Sequence, residues 1–428
     1  MAKIANPLKE IKNKLSEFPN LEVYLSQLES DDSSMKEFIS LFSTVTDDRK
    51  TKMCTYQVED IVGIVFLGIL HGYTSWVDIA DYTRERKDFF EKYMNLSNGI
   101  PVHDTLMRVF SSIHSDTLEQ ALVAFLKRSI ENTMELLNIT KGSDFDLLCI
   151  DGKELKGSGR KYNTPEKIAN SQQMNFYFAG TGICIRTETI DSKTNEIPVA
   201  QKILKTLNLK KTIVTADAMN AQKSTVELIS NNNGYYVMGL KGNHSDLHDE
   251  VKILFDKKTK YGKTAYFKME TEKNHNQVET REFYNIPADK CVFSSGWEKI
   301  RNVVLYKKTT YHLHTKKEKI EKRYYITSLN DIELIANSIR QHWAVENQLH
   351  WHLDVNFDED ANPTLSKNAQ CNLSIVRKTV LTLCKMMQPL FKNISIRRVK
   401  NHFRMSPEKY TLRLFAYLGA KDIDSLIK

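Results

Sequence analysis

Two runs of buried-strand character each close on an aspartate: FDLLCID (145–151) and TIVTAD (212–217). Both are rich in β-branched and apolar side chains without alternation, the pattern of a strand covered on both faces. Such strands confine a chain to folds that bury a sheet between helices. In open α/β sheets the chemistry gathers where the strands run out at their carboxyl ends. Asp151 and Asp217 are therefore the first candidate functional residues. A downstream helix carries Glu346, and three carboxylates so assembled would hold divalent metal.

The bulk properties set wide bounds. At 428 residues the chain can bury a large core and divide into two or three parts. Its 61 Lys and Arg against 53 Asp and Glu give a net charge of +8. That balance suits a polyanionic partner without being diagnostic of one. Cys54, Cys149, Cys184, Cys291, Cys371 and Cys384 form no CxxC pair, which argues against a zinc or disulfide framework and for a reducing compartment. The start, MAKIANPLKEIKNKL, lacks the apolar segment of a secretory signal, and the most apolar stretch (61–70) is too short to span a bilayer. A soluble intracellular protein is expected.

Periodicity divides the chain into four stretches. Residues 1–140 read as helical, with VEDIVGIVFLGILHGYTSWVDIADYT (58–83) interrupted near Gly72, a start at 103–110 capped by Asp104, and a helix over 117–137. Residues 141–242 hold strands at 145–151, 173–182, 183–191, 212–217 and 235–242, with helices at 199–207 and 221–232. Three strands in a meander, then helix–strand–helix–strand, is the order of a ribonuclease H-like core, although other α/β sheets share it. Residues 243–328 lose helical character and alternate, which predicts a β-rich insertion of antiparallel strands. Residues 329–428 return to helices (331–355 and 372–391) and end in a basic segment with Arg397, Arg398, Lys400 and Arg404, which reads first as a solvated face. The fold class is thus α/β, preceded by an all-helical N-terminal domain.

Phosphodiester chemistry with two metal ions needs oxygen ligands around sites about 3.5–4 Å apart. Asp151 and Asp217 come from neighbouring strand ends in this topology. On the 331–355 helix, Glu346 stands beside an apolar face made by Ile339, Trp343, Leu349 and Leu353; Asp354, Asp358, Glu359 and Asp360 follow and could replace it. Taken singly, each Asp has a structural reading, as a turn former before Gly152 or a helix cap after 217; the pair at two strand ends favours catalysis. His342, Glu346 and His350 fall at i, i+4 and i+8, but without HExxH or a fourth ligand a zinc site ranks below magnesium. Lys153, Lys156 and Arg160 after Asp151, and Lys241 after the fifth strand, are placed for phosphates. His275, Glu279 and Arg281 lie near DNA or simply on a strand face, and His342 and His350 orient substrate or pack beside Trp343 and Trp351. No Gly-rich nucleotide loop appears, which disfavours an ATP-driven enzyme.

The segments IDGKELKGS, TADAMNAQ, YYVMGLKGN, RYYITSL and IRQHWAVENQLHWHLDVNFDED resemble, in order, the DDE transposases of the H-repeat-associated group of bacterial insertion sequences. YQVEDIVGIVFLGILHGYTSWVDIADYT and NGIPVHDTLMRVF resemble the helical region associated with that group, so the likeness runs from about residue 45 to 390. The resemblance implies a ribonuclease H-like core acting on DNA with Mg²⁺ or Mn²⁺, two ions, held by Asp151, Asp217 and Glu346. It further implies a bacterial cytoplasmic enzyme, nucleoid-associated when on DNA, that works as a homodimer on element inverted repeats and target DNA. Hydrolysis would free a 3′-hydroxyl that then attacks a second phosphodiester. The Tyr, Arg and Lys that often surround the glutamate in the wider superfamily are replaced here by Ile339, His342 and Leu353. A nuclease of the same fold, or an inactive DNA-binding derivative, are the competing readings.

Overall fold

The computed structural model describes residues 3–17, 32–50, 54–140, 142, 144–159, 168–190, 195–258, 265–274 and 276–420. The helices α1 (Pro7–Leu15), α2 (Asp32–Ser40), α3 (Val58–Leu70), α4 (Trp76–Glu85), α5 (Lys87–Phe90), α6 (His103–Ser112) and α7 (Ser115–Leu136) come first. Next are β1 (Asp146–Leu155), β2 (Ser171–Phe178), β3 (Ile183–Ile190), α8 (Glu196–Leu204), β4 (Thr212–Ala216), α9 (Lys223–Asn231), β5 (Tyr235–Leu240) and α10 (Ser245–Lys258). Four long strands follow: β6 (Ala265–Asn274), β7 (Gln277–Pro287), β8 (Asn302–His312) and β9 (Glu318–Thr327). The chain closes with α11 (Ile332–His342), a π-helical stretch (Val345–His350), α12 (Trp351–Phe357), α13 (Lys367–Met387), α14 (Ile396–Met405) and α15 (Pro407–Gly419).

Two compact units emerge. The first comprises residues 1–5, 143–151 and 193–345; the second comprises 6–142, 152–192 and 346–428. The division falls within β1, between Asp151 and Gly152. The hydrogen-bonded strand order is β3-β2-β1-β4-β5-β9-β8-β7-β6.

In the first unit β1, β4 and β5 run parallel, in register from Asp146↔Thr212 to Ile150↔Ala216 and from Ile213↔Tyr235 to Ala216↔Met238. Every residue of β4 is buried, as its unbroken apolar and β-branched run requires. The expected β-rich stretch is present and antiparallel, but it is no separate sheet. β9 pairs directly with β5, Val237↔Thr327 to Leu240↔Tyr324, so β6–β9 continue the parallel strands. Residues 245–258 correct the reading of that stretch as non-helical: they form α10, with Leu247, Val251 and Phe255 buried at i, i+4, i+8.

The second unit is built around two buried helices. In α3 every residue from Asp60 to Leu70 is buried, so the helix is apolar all round rather than amphipathic. Its Phe66 packs at a tilt against Phe38 (ring centroids 4.6 Å apart), which in turn meets Phe42 and Phe415 at 4.9 Å each. Burying one such ring stabilises by roughly 1.5–3 kcal/mol. Helix α13 is buried at nearly every position, and its start is capped by the Ser366 hydroxyl, which accepts from the Ala369 N–H at 3.3 Å. The break near Gly72 is real: Gly72 has φ +93°, and α4 restarts with Ser75 accepting from the Asp78 N–H. Asp104 is not the cap expected of it. Helix α6 starts two residues earlier, after Val102, and Asp104 lies in its first turn. In the basic C-terminal segment Lys400 is 8 % exposed; its ammonium donates to the Asn356 carbonyl and lies 4.0 Å from the Phe357 ring.

Candidate active site

The parallel register sets the site. Ile150 and Ala216 are the last residues that pair β1 with β4. Asp217 stands one residue beyond the end of β4, as expected, but Asp151 does not end its strand: β1 runs on to Leu155, because its later residues stay extended after the pairing with β4 stops. The two aspartates thus each follow the last β1–β4 pair. Asp217 is two-thirds exposed (66 %), and Asp151 is half-buried. The turn beyond Asp217 is pinned from the segment after β5: Asn243 Nδ2 donates to the Ala218 carbonyl at 2.7 Å and His244 Nε2 lies 2.6 Å from the Ala221 carbonyl. Gly239 allows this close approach, since a Cβ there would stand 3.0 Å from the Ala218 nitrogen. Gly239, Asn243 and His244 flank Lys241, the one residue of this stretch singled out from the sequence.

His342, at the end of α11, faces Asp217. Its Nε2 is 3.7 Å from Asp217 Oδ1, and its Nδ1 is 3.0 Å from the Thr215 hydroxyl. His342 holds Asp217 below the ordinary carboxylate value; burial opposes this, and Lys241 and Arg323 reinforce it. For His342 itself burial acts downward, but Asp217 and Cys149 outweigh it and push it up to about 10. A second carboxylate senses the pair: Glu196 is raised by burial, lowered by Asn220, which donates to it at 3.2 Å, and raised again by Asp217. Glu196 starts α8, and nothing in its spacing marked it.

Beside Asp217 a cavity of about 240 Å³ is lined by Lys241, Arg323, Tyr325, His342 and Trp343, among others. The Arg323 guanidinium lies 4.3 Å from the Trp343 ring centroid. The cavity therefore presents cations and an aromatic face next to a carboxylate.

The helix expected over 331–355 is interrupted. α11 ends at His342 and the π-helical turn Val345–His350 intervenes before α12. A π turn shifts the angular phase, so His342, Glu346 and His350 do not form the single stripe that i, i+4, i+8 spacing implied. Glu346 is exposed within the π turn. His350 accepts from Asn175 Nδ2 at 3.1 Å, and burial, with Lys153 and Lys378 nearby, pushes it down to about 3.

The basic residues expected at phosphates fall in different places. Lys241 is exposed at the cavity, and Lys156 is exposed with its ammonium 2.9 Å from Asp360. Lys153 is 8 % exposed and donates to Asp354 at 2.5 Å and Glu359 at 2.8 Å. Those are the two acids that could have replaced Glu346. Arg281 is 6 % exposed and paired with Glu279. Arg160 and His275 lie outside the described residues. Among the described residues no three or more His, Cys, Asp or Glu side chains are gathered closely enough to hold a metal ion. Asp151 and Asp217 follow the last paired residues of two neighbouring strands, and Cys149, Cys184, Cys291, Cys371 and Cys384 are buried.

Residues 142–383, more than half of the chain, match the family described as Transposase DDE domain, and residues 39–126 match the region described as DDE_Tnp_1-associated. The chain belongs to the DDE transposase family. Among its relatives, "Putative transposase YncI" of Escherichia coli O157:H7 is 28 % identical over 371 residues, covering 86 % of this chain and 92 % of that protein. "H repeat-associated putative transposase YhhI" of Escherichia coli strain K12 is 28 % identical, covering 76 % and 84 %. A piggyBac transposase synaptic complex with hairpin DNA aligns over 91 % of this transposase and 80 % of that chain, at 13 % identity and a TM-score of 0.37, too low to assign a shared fold. Among the described residues of this transposase no helix is long and apolar enough to cross a membrane.

Proposed function

We propose that this transposase cuts DNA at the ends of its insertion sequence and joins those ends to new phosphodiesters, using Asp151, Asp217 and Glu346 as metal-holding carboxylates. The observation that carries the reading is that Asp151 and Asp217 each stand one residue beyond the last β1–β4 pair, Ile150↔Ala216, on adjacent parallel strands. Carboxylate oxygens suit Mg²⁺ and Mn²⁺, and Mg²⁺ takes one or two of them from protein while substrate phosphate and water complete its shell. The aspartate pair fits that demand, and Glu346 would add the third ligand. Two such ions would supply charge stabilisation at the attacking and leaving oxygens.

The chain's own groups divide the remaining work. Asp217 is kept anionic by His342, Lys241 and Arg323. Lys241 and Arg323 in the cavity, with Lys156 on the surface, draw the phosphate backbone without reading sequence. Water first cleaves a strand, leaving a 3′-hydroxyl and a 5′-phosphate. The hydroxyl oxygen then forms the new bond to phosphorus as the target's own 3′-oxygen leaves and takes up the proton. One ester replaces another, so no nucleotide cofactor is required.

The strand order β3-β2-β1-β4-β5, with β1, β4 and β5 parallel and β2–β3 an antiparallel pair, supports a ribonuclease H-like core. The helices before β1 would read the inverted repeats, and two protomers would bring two ends together. The deciding experiment incubates labelled element ends and target DNA with the full-length protein and Mg²⁺. Joined products that vanish with Asp151→Asn and Asp217→Asn are expected. Cutting without joining would instead make the protein a nuclease.

A further inference from the structure

Within the second unit a buried lysine ties together two segments that the chain separates by some 200 residues. Lys153 donates to Asp354 Oδ1 at 2.5 Å and to Glu359 Oε2 at 2.8 Å; its side chain is 8 % exposed and that of Glu359 is 1 %. Ser374 donates to the other Glu359 oxygen at 2.8 Å, so both oxygens of that carboxylate are engaged. The turns alongside are equally tight. A Cβ on Gly157 would stand 2.5 Å from the Asp360 carbonyl oxygen, and Lys156 reaches the Asp360 carboxylate at 2.9 Å. A lysine that serves phosphate presents its ammonium to solvent, and this one is sealed away from it.

The sequence positions give the contact its meaning. Lys153 is two residues beyond Asp151 on β1; Asp354 is eight beyond Glu346, one helical segment on. We propose that Lys153 is a positioning residue: by gripping Asp354 and Glu359 it fixes the chain just past Asp151 and just past Glu346, and so aims those carboxylates. The inference rests on the reading of those carboxylates as metal ligands. It also assigns Asp354 and Glu359 to the lysine and not to the metal.

The test is Mn²⁺ binding to the full-length protein without DNA, read from the electron paramagnetic resonance of free Mn²⁺, with DNA affinity and its salt dependence measured in parallel. Lys153→Met should weaken Mn²⁺ binding about 10–100-fold, the usual cost of losing the support behind a metal ligand. DNA affinity and its salt slope should stay unchanged, and Lys153→Arg should restore part of the Mn²⁺ binding. The sign is diagnostic, because removing a cation near the site would by Coulomb's law alone tighten Mn²⁺ binding. Lys153→Gln, which keeps a polar group in the same place while removing the charge, should shift binding in the same direction and serves if Lys153→Met does not fold. Wild-type Mn²⁺ affinity in the folded variants overturns the proposal. So does a loss of DNA affinity with a salt slope lower by about one, the mark of a phosphate contact. Failure of the underlying metal reading looks different: Asp151→Asn and Asp217→Asn would then bind Mn²⁺ as well as wild type.

Discussion

His342 Nε2 lies 3.7 Å from Asp217 Oδ1 while the same ring's Nδ1 lies 3.0 Å from the Thr215 hydroxyl. The imidazole is thus fixed from the buried side by β4 and turned toward a carboxylate at the end of the same strand. Its pKa is raised on folding, to about 10. The stability it contributes is complete below the unfolded value near 6.5 and is lost as pH rises through the folded one. The midpoint of urea unfolding should fall between pH 7 and 10 in the wild type, and fall less in His342→Gln. Equal slopes in the two proteins would remove the ion pair from the account.

Glu359 behaves oppositely. Burial raises it, but Lys153, Lys378 and Arg377 together hold it down at about 2. Its contribution is present above the unfolded value and is lost as pH falls through the folded one. Glu359→Gln should cost about 3–5 kcal/mol in chemical denaturation, because it leaves buried cations without their carboxylate. The double variant Lys153→Met with Glu359→Gln should cost less than the sum of the singles, which a double-mutant cycle measures.

Gly157 faces backbone and not a side chain that could swing aside. A Cβ there would meet the Asp360 oxygen at 2.5 Å and the Ala361 carbonyl carbon at 3.0 Å. Gly157→Ala should therefore destabilise by about 1–3 kcal/mol, visible as a lower thermal midpoint.

At the cavity beside Asp217, Lys241 is exposed. Lys241→Gln should weaken binding to unrelated DNA sequences alike and reduce the log–log salt slope by about one. A sequence-dependent loss would show that Lys241 contacts bases.

The parts of this architecture that sequence made legible are those governed by local pattern. Buried runs disclosed β1, β4 and β5, and the aspartate after β4 lies where its run predicted, while β1 continues four residues past Asp151. Helix α10 was hidden by its charges, although Leu247, Val251 and Phe255 at i, i+4, i+8 carried the signal. The π turn after His342 left no mark, since a one-residue change of phase alters no composition. Lys153 read as a phosphate contact because it follows Asp151 in a basic run. Its partners Asp354 and Glu359 stand some 200 residues away, and no spacing rule reaches that far.

The direct pairing of β9 with β5 has a further consequence. Without it, β5 would end the sheet with a row of unpaired backbone groups, the template on which strands of other chains add. The four added strands move the end of the strand order outward to β6. Foreign strand addition and changes of hairpin length would then be met at β6, leaving the β4–β5 pair behind Asp217 undisturbed.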